Sequence, residues 1–126
     1  MRTVNPPGWK RPSGYSNGVA KNGFLFLSGQ VGWNKVGEFS PDFVAQARQA
    51  LQNICAVIEA AGAKPEQIVR LTWYVTNREA YKTRLAEIGA AYRDIIGRHF
   101  PAMSVVEVKG LVEDAALVEI ETTVAL

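Results

Sequence analysis

The sequence predicts an α+β fold in which two helices cover one face of a sheet with four or five strands. Segments with strand-like patterns flank two longer segments with helical periodicity, in the order ββ-α-β-α-ββ. Each helical segment carries a single apolar stripe, as expected for a helix packed on one side of a sheet. The 126 residues, 48% of them apolar, suit one hydrophobic core. We therefore expect a single domain over residues 1–126.

The first elements are an extended arm and a β-hairpin. Prolines and glycines interrupt residues 1–14, which predicts an arm without regular structure. A strand over residues 17–21 then turns at Asn22-Gly23, a dipeptide that tolerates the positive φ angles of a tight hairpin. The second strand starts with FLFL at 24–27, which is apolar at every position, so both of its faces should be covered.

The triplet Ser28-Gly29-Gln30 ends this apolar run with two hydrogen-bonding side chains around a glycine. Glycine lets backbone or a ligand approach closely, and it also permits a simple bulge beside a turn. Both interpretations remain open from the residues alone.

The first helix should begin at Ser40-Pro41, with serine as the N-cap and proline at the first helical position. It should end at Gly62. Its apolar stripe consists of Val44, Ala47, Leu51, Ile54, Cys55 and Ile58. Because Cys55 lies within the stripe, we interpret it as a buried hydrophobe rather than a nucleophile. As the only cysteine, it has no partner for an internal disulfide.

A third strand and a second helix follow. Residues 68–75 alternate, with one side formed by Val69, Leu71, Trp73 and Val75, and the other by Arg70, Thr72 and Tyr74.

Thr76 and Glu79 have capping-box spacing, and the helix they open should end near Gly97. Its inner stripe is Tyr81, Leu85, Ile88, Tyr92 and Ile95. For His99 just beyond it, we favour an interaction with the helix dipole over catalysis.

Residues 100–126 contain two more strands. Met103, Val105 and Glu107 share one side of the first, and Ser104, Val106 and Val108 share the other. In the second strand, an apolar face formed by Val118, Ile120 and Val124 lies opposite Glu119 and Glu121. Carboxylates at i and i+2 lie roughly 7 Å apart, so ionising one makes ionising the other harder. A site for acid–base chemistry and a solvated outer face are both compatible with this pattern.

One face of the predicted sheet has no helix to cover it. Parts of FLFL, Tyr74, Met103 and Val105 should lie there, and a patch this apolar favours self-association. Glu119 and Glu121 would then lie in or beside an interface. Burial there would raise the pKa of a carboxyl group and suit it to acid–base work near pH 7.

Charge and composition exclude several kinds of partner. The net charge is only +2 and there is no run of Lys or Arg, so nucleic acid and anionic membranes are not expected partners. No segment approaches the roughly 20 apolar residues of a membrane span, and the N-terminus lacks the apolar core of a signal peptide. No Cys/His spacing indicates zinc. We expect a cytoplasmic, metal-free protein.

Several separated motifs together resemble the RidA (YjgF, L-PSP) family of reactive intermediate deaminases. They are Tyr15-Ser16, SGQ at 28–30, QARQALQNICAVIEAAGA in the first helix, PAMSVVEV at 101–108 and VEIE at 118–121. The resemblance implies a chorismate-mutase-like fold assembled as a homotrimer with clefts between subunits. It also implies hydrolysis of enamines or imines to a keto acid and ammonia without a cofactor.

The resemblance assigns roles to three residues of this chain. Glu119 matches the glutamate that positions or activates the water molecule. Tyr15 matches the tyrosine that lines the cleft, and Gly29 lies in the matching SGQ turn. These three are the candidate catalytic and substrate-binding positions that follow the family pattern.

Two positions depart from that pattern. Met103 stands where deaminating members have an arginine that grips the substrate carboxylate, and a thioether forms no such charge-assisted pair. Val105 stands where many members have cysteine. Together with Trp33 shortly after SGQ, Met103 and Val105 predict a more apolar substrate site. Ser104, between them, is a further candidate substrate-binding residue.

The leading hypothesis is therefore a deaminase for a bulkier, less acidic enamine or imine than the small 2-imino acids. A non-catalytic trimer that binds a small metabolite or a partner enzyme is the alternative. Endoribonuclease activity, named for some relatives, is a weaker alternative because the chain has one histidine and no basic groove.

Overall fold

The structure is a computed structural model that describes all 126 residues. It contains one six-stranded sheet and three helices. The strands are β1 (Arg2–Val4), β2 (Gly18–Lys21), β3 (Phe24–Val31), β4 (Ile68–Val75), β5 (Ala102–Glu107) and β6 (Val118–Ala125). The helices are α1 (Phe43–Ala60), α2 (Arg78–Thr83) and α3 (Leu85–Ile95), and a 3₁₀ turn at Pro65–Gln67 precedes β4. The predicted α+β class is confirmed.

The sheet has the strand order β1-β2-β3-β6-β4-β5. All neighbours pair antiparallel except β4 and β5, which are parallel. The last strand, β6, therefore lies in the middle of the sheet between β3 and β4. Strand β1 was not predicted, because the prolines that follow it dominate the composition of the arm. Its Val4 is nonetheless buried.

Helices α1 and α3 pack on one face of the sheet and enclose the core. Twenty-one buried residues form one cluster. The predicted inward residues of α1 include Leu51 and Ile54, which are fully buried, and Ile120 of β6 belongs to the same core cluster. None of the three helices combines the length and hydropathy that a membrane-spanning helix needs.

Helix α1 begins two residues later than predicted. Its N-cap is Asp42 and not Ser40, because the Asp42 carboxylate accepts a hydrogen bond from the Ala45 N–H at 2.9 Å. Ser40 supports this cap by accepting a bond from the Asp42 N–H. The expected helix end is confirmed: Ala61 is the C-cap, and Gly62 follows with a positive φ of 78°.

The predicted second helix is two helices that meet at Arg84. Its N-cap is Asn77, whose side chain accepts bonds from the Glu79 and Ala80 N–H groups, so the capping box at Thr76 was wrong. Arg84 has a non-helical φ of −120°. Its guanidinium donates to Asp42 at 2.6 Å and also pairs with Glu87. These ion pairs stabilise the break and tie it to the start of α1.

Strand β4 departs from the predicted alternation at its start. A bulge between Ile68 and Arg70 shifts the register against β6. Val69 is consequently exposed, whereas Ile68 takes the inward position that the alternation assigned to Val69. The remaining alternation is as predicted, with Leu71 and Trp73 buried under the helices.

The prediction that Met103 and Val105 lie on the uncovered face was wrong. In the parallel pair of β4 and β5, Met103 is opposite Leu71 and Val105 is opposite Trp73, so both point toward the helices. Val106 lies on the uncovered face instead and is 42% exposed. Sequence alternation grouped these residues correctly, but it could not say which group faced the core, because β5 is an edge strand that is largely exposed on both sides.

His99 does not act at the end of a helix. Its Nε2 atom lies 2.6 Å from the carbonyl oxygen of Ile68. The hydroxyl of Tyr92 donates to the carbonyl oxygen of His99 itself. The chain leaving α3 turns back onto the start of β4, so the imidazole meets a strand carbonyl rather than the last turn of α3.

Candidate functional site

A bulge in β3 places Gly29 against the carboxylate of Glu119. The register between β3 and β6 shifts between Leu27 and Gln30, and Glu119 lies opposite Val31. A Cβ atom on Gly29 would be 2.6 Å from both Cδ and Oε2 of Glu119, far inside van der Waals contact. The glycine and the carboxylate therefore occupy one small space on the uncovered face of the sheet.

Buried polar side chains hold this bulge in place. Asn17 accepts a hydrogen bond from the Ser28 N–H at 3.0 Å through its main-chain oxygen. The Gln30 amide donates to Asn17 Oδ1 and to the Ser28 carbonyl, and Asn17 Nδ2 donates to Asn5 Oδ1 at 2.7 Å. Because Asn17 and Gln30 are both buried, each needs these partners. The sequence indicated Ser28 and Gln30 but gave no sign of Asn17 or Asn5.

Glu119 belongs to a small electrostatic cluster with Glu121 and Tyr74. Partial burial, and secondly the charge of Glu121, raise the pKa of the Glu119 carboxyl above its usual value. Tyr74 is opposite Glu119 in β4. The Tyr74 hydroxyl lies 3.5 Å from Oε1 of Glu121. The charge of Glu121 is the main cause that raises the pKa of Tyr74. The predicted interaction of the two glutamates is therefore present, and Tyr74 is an addition to it.

Helix α1 fixes the strand ends around the cluster through two buried amides. Asn53 donates to the carbonyl oxygens of Val31 and Trp33 at 3.0 Å each. Gln46 donates to the Ala115 carbonyl and accepts from the Leu117 N–H, just before β6. The signal in the sequence was a pair of amide residues on the inner side of an otherwise apolar helix.

Tyr15 and Trp33 lie on the two segments that flank this bulge. Tyr15 is 52% exposed and is two residues before Asn17, the residue bonded to Ser28. Trp33 packs against Phe39 of its own loop, with the ring centroids 6.3 Å apart. The chain therefore brings the Tyr15 segment to the Gly29 bulge, whereas Trp33 is engaged within its loop.

The other predicted site residues belong to a second region, beside β5. A pocket of about 240 Å³ lies between this edge strand and helices α2 and α3. Met103 forms part of its wall, and Val105 packs against the core nearby. The ten lining residues are Trp73, Tyr81, Leu85, Ile88, Gly89, Tyr92, Arg93, Phe100, Pro101 and Met103. We call this the β5 pocket.

Within one chain, the two groups of predicted residues do not meet. Glu119 and Gly29 lie on the uncovered face of the sheet, whereas Met103 points to the helix side. Strand β4 separates β6 from β5. Ser104 faces away from Met103, since it pairs with Thr72 rather than with a core residue.

The site contains no arrangement of ligands typical of a metal centre. No three residues among the His, Cys, Asp and Glu side chains are placed to hold a metal ion together. The chemistry that the residues themselves offer is a proton-accepting carboxylate at Glu119 and an apolar pocket beside β5.

Known proteins resemble this chain over three quarters of its length or more. A family model described as endoribonuclease L-PSP matches residues 9–126. The 2-iminobutanoate/2-iminopropanoate deaminase of Escherichia coli K12 is 39% identical over 125 residues, covering 96% of this chain and 92% of that protein. A RutC family protein of Aquifex aeolicus is 41% identical over 96 residues, which are 75% of this chain and 74% of the relative.

Solved structures share the fold. The YjgF gene product of E. coli is 36% identical with a TM-score of 0.81, covering 99% of this chain and 98% of that one. A Rid family protein, YyfA of Yersinia pestis, is 33% identical with a TM-score of 0.86 and the same coverage. E. coli TdcF with bound serine is 27% identical, with a TM-score of 0.85 and coverage of 100% and 99%.

Proposed function

The chain belongs to the endoribonuclease L-PSP family, also called the RidA or YjgF family, and we propose that it hydrolyses a reactive enamine or imine. The substrate would bind in a cleft between two subunits of a homotrimer, each a single domain. Supporting this reaction type, the E. coli relative is named a 2-iminobutanoate/2-iminopropanoate deaminase.

The observation that carries the proposal is the partly buried Glu119 carboxylate beside Gly29. In the reaction, a water oxygen bonds to the carbon of the C=N group, and Glu119 takes the proton that this water loses. As the C=N π bond breaks, Glu119 passes this proton to the nitrogen, which gives a carbinolamine. The hydroxyl proton of the carbinolamine then reaches the nitrogen in the same way, the C–N bond breaks, ammonia leaves and a C=O group remains. A raised pKa suits Glu119 to this exchange, since a base works best when its pKa is near the working pH.

An assembly explains how the separated groups could form one site. Glu119 and Met103 point to opposite sides of the sheet within one chain, so a shared cleft needs the Glu119 side of one subunit and the β5 pocket of another. Exposed Phe24, Phe26 and Val106 on the uncovered face support close contact between copies, because an apolar patch of this kind is commonly buried in an interface.

The substrate would differ from the small 2-imino acids. Met103 offers no charge to a substrate, and seven of the ten residues lining the β5 pocket are hydrophobic. Substrates with a bulky apolar group would bind more tightly when this group is buried against the pocket wall. The binding free energy would become more favourable by roughly 25 cal/mol per Å² of apolar area removed from water.

Ammonia release from imines made in place tests the proposal. An amino-acid oxidase would generate imines from alanine, leucine and phenylalanine, and semicarbazide would trap what remains. We expect the protein to accelerate ammonia release from the leucine and phenylalanine imines most. Glu119→Gln should reduce this acceleration by about 10²- to 10⁴-fold, while the exposed Glu113→Gln serves as a matched control. If no apolar imine decays faster with the protein, hydrolysis is the wrong function.

A binding module is the second candidate, and the apolar character of the β5 pocket favours it. In this case the trimer would hold a small apolar metabolite without converting it. Native mass spectrometry would detect a retained ligand, and Glu119→Gln would leave every measured activity unchanged. A loss of imine hydrolysis in Glu119→Gln would exclude this alternative.

A further inference from the structure

Arg93 lines the β5 pocket together with Met103, and its guanidinium forms no ion pair within the chain. The ion pairs of this structure involve Arg48, Lys82 and Arg84 as the cations. Arg93 is exposed on α3 and contributes the only positive charge among the lining residues of the pocket. An unpaired guanidinium at the wall of an apolar pocket is suited to bind an anionic group of a ligand.

Gly89 allows the guanidinium to lie where it does. Residues 89 and 93 are one turn apart on α3, and both line the pocket. A Cβ atom on Gly89 would be 3.1 Å from Arg93 Nη1, closer than most real contacts of this kind. Glycine inside a helix is less stable than alanine, and Gly89 has no positive φ that would require it. The space above it holds the arginine side chain.

The rest of the pocket offers apolar surface. Tyr92 and Phe100 stack with ring centroids 6.2 Å apart, and Phe100 is 74% exposed. Leu85 and Met103 add further exposed apolar area. At about 240 Å³, the pocket lies just below the roughly 300 Å³ at which drug-sized sites begin, so it fits a metabolite of amino-acid size.

We propose that Arg93 binds the carboxylate of an apolar 2-imino acid whose side chain rests on Phe100, Leu85 and Met103. Arg93 thereby supplies, from helix α3, the carboxylate contact that Met103 on β5 lacks. The substrate class is then the imines of amino acids with branched aliphatic or aromatic side chains. This inference rests on the proposed function for the hydrolysis step, but the binding step is independent of it.

Calorimetric titration with phenylpyruvate, the keto acid that would be the product, tests the binding step. We expect Arg93→Ala to weaken binding by about ten- to hundredfold, since a hydrogen bond to a charged group contributes that much. The affinity of Arg93→Lys should lie between those of Arg93→Ala and the wild type, because lysine keeps the positive charge but lacks the planar fork of donors. Arg98→Ala removes an exposed arginine outside the pocket and should match the wild type. Equal affinity in Arg93→Ala, or no binding to the wild type, would overturn the proposal.

Kinetics separate the failure of this proposal from the failure of the proposed function. The phenylalanine imine carries a carboxylate, whereas the imine that an amine oxidase makes from phenethylamine does not. We expect Arg93→Ala to raise KM for the first by at least about tenfold, with kcat kept, and to leave the second unchanged. If Arg93→Ala hydrolyses the phenylalanine imine with an unaltered KM, the proposed role of Arg93 is refuted and the proposed enzymatic function is not. Phenylpyruvate binding that depends on Arg93, without hydrolysis, would refute the enzyme and retain the anion site.

Discussion

A methyl group at position 29 would lie 2.6 Å from the carboxyl carbon of Glu119. Gly29 therefore determines where this carboxylate lies, since any side chain there would displace it. The glycine and the glutamate come from strands that are far apart in sequence and adjacent in the sheet.

Gly29→Ala should inactivate the site without unfolding the protein. The new methyl group would force the Glu119 carboxylate to move, and a displacement of about 1 Å can lower a rate about 100-fold. Imine hydrolysis would measure the loss. Gly110→Ala is the control, because a Cβ there meets nothing within 4 Å. Full activity in Gly29→Ala would show that the position of Glu119 is not critical.

Replacing Glu119 should stabilise the fold in a pH-dependent manner. Since the folded-state pKa of Glu119 is raised, the ionised carboxylate destabilises the folded chain above that pKa. Glu119→Gln should therefore raise the free energy of unfolding at pH 7 to 8. The gain should shrink as the pH falls through the folded pKa and vanish below about 4.3, the ordinary value for glutamate. Urea unfolding across this range measures it, and a gain independent of pH would contradict this electrostatic cause.

Cys55 should react slowly with thiol reagents. Burial between α1 and the chain at Ile95 raises its pKa from 9.0 to about 11. Two pKa units leave about a hundredfold less thiolate at pH 8. We expect the reaction with 5,5′-dithiobis(2-nitrobenzoate) to be at least about a hundredfold slower in the folded protein than in urea. Equal rates would mean that Cys55 is accessible and ordinary in acidity.

Thr122→Val should increase stability. The Thr122 hydroxyl is buried under α1 without a hydrogen-bond partner. Valine has nearly the same shape and leaves no polar group unsatisfied, so the free energy of unfolding should rise by about 1 to 2 kcal/mol. Thr3→Val, at an exposed position of the edge strand β1, should change it by less than about 0.5 kcal/mol. A destabilised Thr122→Val would indicate that the hydroxyl has a partner.

Local patterns predicted most of the fold because they report local physics. The hairpin at Asn22-Gly23, the stripe of α1 and the inward face of β6 are all consequences of backbone and solvation preferences within a few residues. The break at Arg84 is stabilised by an ion pair with Asp42, and these two residues are 42 positions apart in the chain. The sequence does not reveal such a contact until the chain is folded.

The candidate site was predicted in parts and not as a whole. The sequence analysis proposed Glu119, Gly29 and Tyr15 as site residues, and in the structure the glutamate lies against the glycine. The orientation of Met103 was predicted wrongly, because both faces of the edge strand β5 are largely exposed and no sequence pattern distinguishes them. The sequence did not single out Arg93, for which we propose anion binding, since an exposed arginine on a helix is ordinary until the glycine one turn earlier and the pocket beside it are known.

Mixed assemblies of the proposed homotrimer test most directly whether the site is shared between subunits. Glu119→Gln removes the carboxylate, and Met103→Glu places a negative charge in the β5 pocket beside Arg93, so each variant alone should be inactive. In trimers assembled at random from equal amounts of both, about one quarter of the clefts would combine two intact sides. We predict about one quarter of wild-type imine hydrolysis. Activity no higher than that of the separate variants, in trimers shown to be mixed by native mass spectrometry, would contradict a cleft between subunits.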